Sequence, residues 1–121
     1  IKNNNELKNR LSSYKISPKE FSTININGED LNMYMIKPVD FDETKQYPLF
    51  LFQYSGPGSQ SVSNSWMGTN DFWHQMLAND QQIIIACVDG RGTGFKGREF
   101  KKMTQRELGK YEVEDQTAVA Q

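Results

Sequence analysis

The stretch Phe50–Gln60 reads FLFQYSGPGSQ, and it limits how the rest of the chain can fold. Its apolar first half, which Pro48 precedes, is typical of a strand that is buried on both faces of a sheet. The glycine–proline–glycine turn over 56–58 then ends the strand, because neither a strand nor a helix continues through such a sequence. Tyr54 is therefore predicted at the carboxyl end of an interior strand, which is the edge where ligands bind in parallel α/β sheets.

A second apolar run, over 83–88, is unbroken and rich in β-branched residues, as expected of an interior parallel strand. The helical spacing of apolar residues before it predicts a helix over 70–79. The face of this helix that is predicted to cover the sheet consists of Phe72, Trp73, Met76 and Leu77. With the strand predicted over 48–54, these elements make one parallel strand–helix–strand unit.

The sequence before and after this unit predicts smaller elements around it. Short helices are predicted over 6–15 and 111–121 from helical spacing and from helix-forming composition. Two alternating runs, 21–26 and 31–36, flank the dipeptide Asn27-Gly28, which is the strongest short-range signal of a hairpin. The hairpin is predicted to add an antiparallel edge to the more buried sheet. The predicted fold class is therefore α/β.

Composition excludes several classes of function. The chain has 121 residues, which fits one domain, and its formal net charge of -1 with no basic segment disfavours nucleic acid and anionic membranes as partners. No apolar run reaches the ~20 residues of a membrane-spanning helix, and the stretch 1–9 lacks the blocks of a signal peptide. With one cysteine, Cys87, and one histidine, we expect no disulfide framework, metal site or cofactor. Cys87 is predicted as a buried small hydrophobe.

The segment Gly92–Gly97 fits the pattern G-x-G-x-x-G and follows a predicted strand, which is the setting of a dinucleotide-binding loop. Two features do not fit such a loop. Its glycines follow the polar turn 89–91 and not the strand directly, and no strand that ends in an acid follows about twenty residues later. The alternatives are therefore a nucleotide-binding module and a glycine-dense turn that needs unusual backbone angles.

Two side chains are candidates for acyl-transfer chemistry. His74 lies next to Trp73 and outside the predicted apolar face of its helix, so it is predicted on the surface or with a satisfied hydrogen bond. No serine occurs in G-x-S-x-G, so a complete catalytic triad is not expected in these residues. Tyr54 is placed either to donate its O–H to an oxyanion in a cleft, or to pack at a sheet edge with a solvated O–H.

Four landmarks in the same order and at similar spacing resemble the hydrolase domain of the dipeptidyl peptidase IV branch of the prolyl oligopeptidase family of serine peptidases. They are Tyr47-Pro48-Leu49, Tyr54-Ser55-Gly56-Pro57-Gly58-Ser59-Gln60, Val88-Asp89-Gly90-Arg91-Gly92-Thr93-Gly94, and Leu108-Gly109 followed by Glu112-Val113-Glu114-Asp115-Gln116.

The resemblance implies a fold and a reaction. The fold would be a partial α/β-hydrolase, and the whole enzyme would release dipeptides with Pro or Ala in second position from free amino termini of peptides. Tyr54 would donate to the oxyanion, and the loop that carries Ser59 and Gln60 would border the substrate cleft. The turn 89–92 would be structural, and by resemblance alone the compartment would be periplasmic, cell-envelope or secreted.

The resemblance also implies that essential parts lie outside the chain. The family's serine, aspartate and histidine follow the position of Gln121 in chain order, and its amino-terminal propeller precedes Ile1. The chain, residues 1–121, is therefore expected to be the N-terminal portion of the catalytic domain and to be inactive by itself. Exposed strand edges would favour self-association or a homodimer. A non-catalytic hydrolase-like domain that only binds partners is a further alternative.

Overall fold

The computed structural model describes residues 3–66 and 69–121, with the side chains of 69 and 70 excepted. The described residues form four helices and four strands. In chain order these are α1 Asn5–Leu11, β1 Glu20–Ile26, β2 Glu29–Ile36, β3 Leu49–Phe52, α2 Thr69–Asp80, β4 Ile84–Asp89, α3 Arg98–Lys102 and α4 Lys110–Val119. Of these elements, only the five-residue helix α3 had no counterpart in the sequence-based prediction.

Strands β1 and β2 form the predicted hairpin. Ile26 lies opposite Glu29, so the loop consists of Asn27 and Gly28 alone. Both loop residues have positive φ angles, 53° and 88°, as a type I′ turn requires. Asn25 supports the turn, because its side-chain oxygen accepts the N–H of Gly28 at 3.2 Å.

The four strands form one mixed sheet in the order β1-β2-β4-β3. Strand β2 is antiparallel to β4, whereas β3 is parallel to β4. Helix α2 connects the two parallel strands, so the strand–helix–strand unit and the antiparallel hairpin beside it are both confirmed. The α/β class predicted from the sequence is correct, and its partial α/β-hydrolase form is tested by the structural comparison below.

The burial predicted for β3 was wrong. Leu49 is 45% exposed and Phe50 is 40% exposed, because β3 is the last strand of the sheet that the described residues form and pairs there only with β4. Strand β4 is the buried one. It lies between β2 and β3, and its residues Ile85, Cys87 and Val88 have no exposed surface.

Helices cover both faces of the sheet. One buried cluster joins α2 to one face and contains Tyr34, Ile36, Val62, Ala78, Ile85 and Cys87. The other lies beneath α3 and α4 and contains Ile26, Leu31, Met33, Val88 and Phe100. Adjacent residues of β4 contribute to opposite clusters, which explains why this strand is an unbroken apolar run. Cys87 is buried as predicted, and burial raises the pKa of its thiol to about 12.

The face of α2 that packs inward matches the prediction only in part, because Leu77 packs against the core cluster as predicted. Phe72 and Trp73 are exposed, whereas the buried side chains among the described ones of this helix are His74, Gln75, Ala78 and Asn79. The buried amides have partners that sequence periodicity cannot reveal. Gln75 accepts the N–H of Ser17 at 2.7 Å and donates to the carbonyl of Ser17 at 2.9 Å. Because buried polar groups need such partners, the contacts with Ser17 stabilise the buried face of α2.

None of the helices formed by the described residues has the length and apolar character needed to cross a membrane.

Candidate active site at the carboxyl ends of β3 and β4

Tyr54 lies two residues beyond β3, at the carboxyl end of the strand, and its side chain is 75% exposed. Its ring lies over Gly56, where an added Cβ would come too close to ring atom Cε1. Within the described part of the chain, the phenol makes no hydrogen bond. Its O–H is therefore available to a ligand at this edge of the sheet.

The backbone changes direction sharply at the next residue. Ser55 has a φ of 56°, which is uncommon for a residue other than glycine. Its buried hydroxyl donates to the side chain of Gln53 and lies 3.5 Å from the amide nitrogen of Gln116 on α4. That amide also donates to the carbonyl of Val88 at 3.3 Å. Neighbouring contacts hold Ser55 in this conformation, as is common at functional sites.

The loop after Tyr54 is bound to the turn that follows β4. The N–H of Gly94 donates to the carbonyl of Ser59 at 2.8 Å, and the N–H of Gly58 lies 3.4 Å from the carbonyl of Gly92. Gly94 must be glycine for this approach, because an added Cβ would lie 2.8 Å from the carbonyl oxygen of Gly58. The two loops therefore form one unit at the sheet edge.

Asp89, the last residue of β4, adds a further connection between the two loops. Its carboxylate is buried and accepts the N–H of Ser61 at 2.9 and 3.2 Å and the N–H of Val62 at 2.9 Å. An ionised carboxylate that accepts backbone N–H groups makes a stronger hydrogen bond than a neutral acceptor.

Helix α4 fixes the turn from the other side through a buried ion pair. Asp115 has no exposed surface, and it accepts the backbone N–H of Arg91 at 2.7 Å and its guanidinium at 2.6 and 2.8 Å. Glu114 lies 3.0 Å from the same guanidinium, and the Tyr111 ring lies 4.5 Å from it. The hydrogen bonding of the Arg91 guanidinium to the Asp115 carboxylate is the main reason why the pKa of Arg91 is raised. This arrangement supports the prediction that the turn is structural.

The glycine-rich segment after β4 has the contacts of a turn and not those of a phosphate-binding loop. The N–H groups of Gly92, Thr93 and Gly94 donate to the carbonyls of Phe100, Gly90 and Ser59, respectively. A phosphate cradle needs free N–H groups that point to the ligand. The geometry therefore does not favour the nucleotide-binding alternative.

The two residues predicted to border the cleft have different surroundings. The hydroxyl of Ser59 donates to the carbonyl of Gly56 at 2.7 Å, inside its own turn. Gln60 is exposed and lines a shallow pocket of about 330 Å³ with Phe21 and Asn32 of the hairpin. Tyr54 does not line that pocket. The structure therefore does not bring Gln60 and Tyr54 into one described cavity.

His74 is not on the surface. It is 3% exposed, and its ring centroid lies 5.1 Å from that of Phe52 and 6.2 Å from that of Phe50. Among the described residues, its Nδ1 has no hydrogen-bond partner. Burial is the main reason why its pKa is lowered. A histidine packed under β3 in this way is part of the core, and it is not placed to serve as a base beside Tyr54.

Sequence reasoning described the turn after β4 as structural without finding the contacts by which it acts on the Tyr54 loop. Asp89, Asp115 and Gln116 appeared in the sequence only as parts of the family's landmarks, and their contacts at this site were missed. The available signals were an acid directly after an apolar strand and an acid–amide pair on a short helix, but neither signal names its partner. Over residues 3–66 and 69–121, no group of three or more His, Cys, Asp or Glu residues is arranged to hold a metal ion.

Comparison with known proteins shows what this chain is similar to. Residues 69–121 match the model of the prolyl oligopeptidase family. The chain is 38% identical over 120 residues to a probable dipeptidyl-aminopeptidase B of Arthroderma benhamiae, and the match covers 99% of this chain and 13% of that protein. It is 39% identical over 129 residues to the dipeptidyl aminopeptidase B of Saccharomyces cerevisiae, with 99% of this chain and 15% of that protein covered.

Among solved structures, the dipeptidyl peptidase 4 of Porphyromonas gingivalis superposes with a TM-score of 0.85 at 41% identity. The superposition covers 100% of this chain and 17% of that one. The fold is therefore that of a segment of an α/β-hydrolase, as predicted. These similarities support the dipeptidyl peptidase branch of the prolyl oligopeptidase family, so the resemblance seen in the sequence is confirmed.

Proposed function

We propose that residues 1–121 are the N-terminal portion of the catalytic domain of a serine-type dipeptidyl peptidase. The chain spans only 13% of the first relative that it matches, and both named relatives are dipeptidyl aminopeptidases. In this proposal the nucleophile, its acid and its base follow Gln121, and a propeller precedes Ile1. The whole enzyme cleaves peptides two residues from a free amino terminus, after Pro or Ala.

In this proposal Tyr54 stabilises the oxyanion. Attack of the serine on the scissile carbonyl places negative charge on the carbonyl oxygen, and a fixed O–H donor lowers the energy of that state. The observation that carries the proposal is an exposed phenol without a hydrogen-bond partner among the described residues, at the carboxyl end of β3. The loop that carries it is tied to the β4 turn by backbone hydrogen bonds, as an oriented donor requires.

The chain alone is proposed to be inactive. The only histidine, His74, is packed against Phe52 and Phe50 and is not available as a general base at the sheet edge. Of the two residues proposed to contact substrate, Gln60 is the stronger candidate, because it is exposed while the Ser59 hydroxyl is used inside its turn.

The experiment is the substitution Tyr54→Phe in the full-length enzyme that contains this chain. We expect kcat for an Xaa-Pro chromogenic substrate to fall by roughly 10²–10³ while KM changes little, because the lost donor acts on charge that develops in the transition state. Tyr14→Phe is the matched control, since Tyr14 is 70% exposed and lies outside the site. Near-normal turnover of Tyr54→Phe would refute the role.

The same assay tests the alternative that the protein is a non-catalytic hydrolase-like domain. A full-length protein that hydrolyses no Xaa-Pro or Xaa-Ala substrate would support that alternative. The isolated chain 1–121 is expected to hydrolyse none of these substrates, and measurable turnover by it would contradict the proposed division of the catalytic domain.

A further inference from the structure

We propose that Asp89 is a positioning residue for Tyr54, and that it acts through the N–H groups of Ser61 and Val62. This inference rests on the proposed function, because it assigns to a buried carboxylate the placement of the proposed oxyanion donor.

Tyr54 needs placement by other residues. Its side chain is 75% exposed, and its ring lies over Gly56 of its own loop. The direction of its O–H therefore depends on the course of the backbone after β3. An oxyanion donor must lie within hydrogen-bond distance of an oxygen whose position the nucleophile sets, and an error of about 1 Å in such a site can cost about a hundredfold in rate.

Asp89 has the geometry to control that course. It is buried at the end of β4, opposite Asn32 of β2, so the sheet holds its backbone on that side. Both of its oxygens face the loop, where they accept two successive N–H groups at 2.9 to 3.2 Å. Two donors on one carboxylate fix the direction of the loop as well as its distance from the strand.

Asp89 contacts the loop at the point where the loop enters the core. Val62 lies in the core cluster with Tyr34 and Ile85, so the loop is anchored in the packed interior at this residue. Before it, the loop back to Tyr54 is joined to the turn after β4 by two backbone bonds, Gly58 to Gly92 and Gly94 to Ser59. These bonds involve no side chain. Asp89 is therefore a contact that a substitution can remove while the backbone bonds remain available.

The substitution Asp89→Asn tests the contact. The asparagine side chain keeps one acceptor oxygen, but its NH₂ group is a donor and would face a backbone N–H. We expect kcat of the full-length enzyme to fall about tenfold to a hundredfold, with KM within about twofold, because the donor is displaced and substrate binding is not removed. The matched control is Asp80→Asn, at an exposed position at the end of α2.

A cycle with Tyr54→Phe distinguishes positioning from general loss of structure. If Asp89 acts through Tyr54, Asp89→Asn should lower kcat less than about threefold further in the Tyr54→Phe background. An equal loss in both backgrounds, or normal turnover of Asp89→Asn alone, overturns the inference and leaves the proposed role of Tyr54 intact. Normal turnover of Tyr54→Phe alone overturns the proposed function instead.

A second variant covers the case in which Asp89→Asn does not fold. Asp89→Glu keeps the charge and both acceptor oxygens but places them one methylene further out, and it is measured in the same cycle. The inference is judged on the variant that retains the wild-type circular dichroism spectrum. It is supported if that variant lowers kcat when Tyr54 is present and lowers it much less in the Tyr54→Phe background. If neither variant folds, Asp89 is a residue of the fold, and the positioning role is rejected.

Discussion

Removal of the Asp115 carboxylate should destabilise the protein strongly, because the Arg91 guanidinium is buried against it. Three hydrogen bonds of 2.6 to 2.8 Å join the two residues, and Asp115 has no exposed surface. Breaking a buried pair by removing one partner typically costs 3–5 kcal/mol, since a buried charge is left uncompensated. Glu114 and the Tyr111 ring still contact the guanidinium and offset part of that cost. We expect Asp115→Ala to lower the free energy of unfolding by about 3 kcal/mol.

The assay is equilibrium urea unfolding of the purified wild type and variants, followed by circular dichroism. Glu114→Gln is the matched control, because the Glu114 side chain is 45% exposed and a pair of this kind contributes about 0–1 kcal/mol. A double variant in which apolar residues replace both Arg91 and Asp115 should recover part of the loss, since no charge is left buried. A loss below about 1 kcal/mol for Asp115→Ala, or an equal loss for Glu114→Gln, would refute the reasoning.

Two further predictions concern the region around β3. His74 is buried and its pKa is lowered, so between its folded value and the unfolded value of about 6.5 the unfolded chain binds more protons than the folded one. The free energy of unfolding should therefore fall as pH drops below about 6.5. In urea unfolding at pH 7.5 and 5.5, His74→Phe should reduce this dependence of the free energy of unfolding on pH. An unchanged dependence would assign it to other groups. Leu49→Lys should shift the isolated chain toward monomer in size-exclusion chromatography, because Leu49 lies 45% exposed on the last strand of the sheet and a lysine there opposes edge pairing. A wild-type chain that is already monomeric at high concentration would contradict the expected self-association.

Local patterns were sufficient to predict most of the elements. Asn27-Gly28 predicts the hairpin because a two-residue turn with two positive φ angles admits few other residues. The apolar run that becomes β4 predicts a buried strand, and the break after Tyr54 predicts the end of β3. In each case the cause lies within a few residues of its effect, so the sequence carries the whole signal.

Burial within those elements was less predictable. The run before Tyr54 has the composition of an interior strand, yet β3 is the last strand of the described sheet. Helical spacing on α2 favoured a face with Phe72 and Trp73, whereas the buried face carries Gln75 and Asn79. Periodicity reports which side chains share a face, but it cannot report that Ser17 supplies partners for a buried amide 58 residues away.

The candidate site, too, could be predicted from the sequence only in part. By itself the sequence indicated the family through its ordered landmarks, and it predicted the hairpin, the buried strand β4, and the placement of Tyr54 at a strand end beside a glycine turn. Only the tertiary structure decided what holds that tyrosine, because the contacts from Asp89 to Ser61 and from Arg91 to Asp115 span 28 and 24 residues. A carboxylate can bind any N–H or guanidinium that the fold brings within about 3 Å, and that choice depends on how the end of β4 meets the loop after β3 and helix α4, and not on neighbours along the chain.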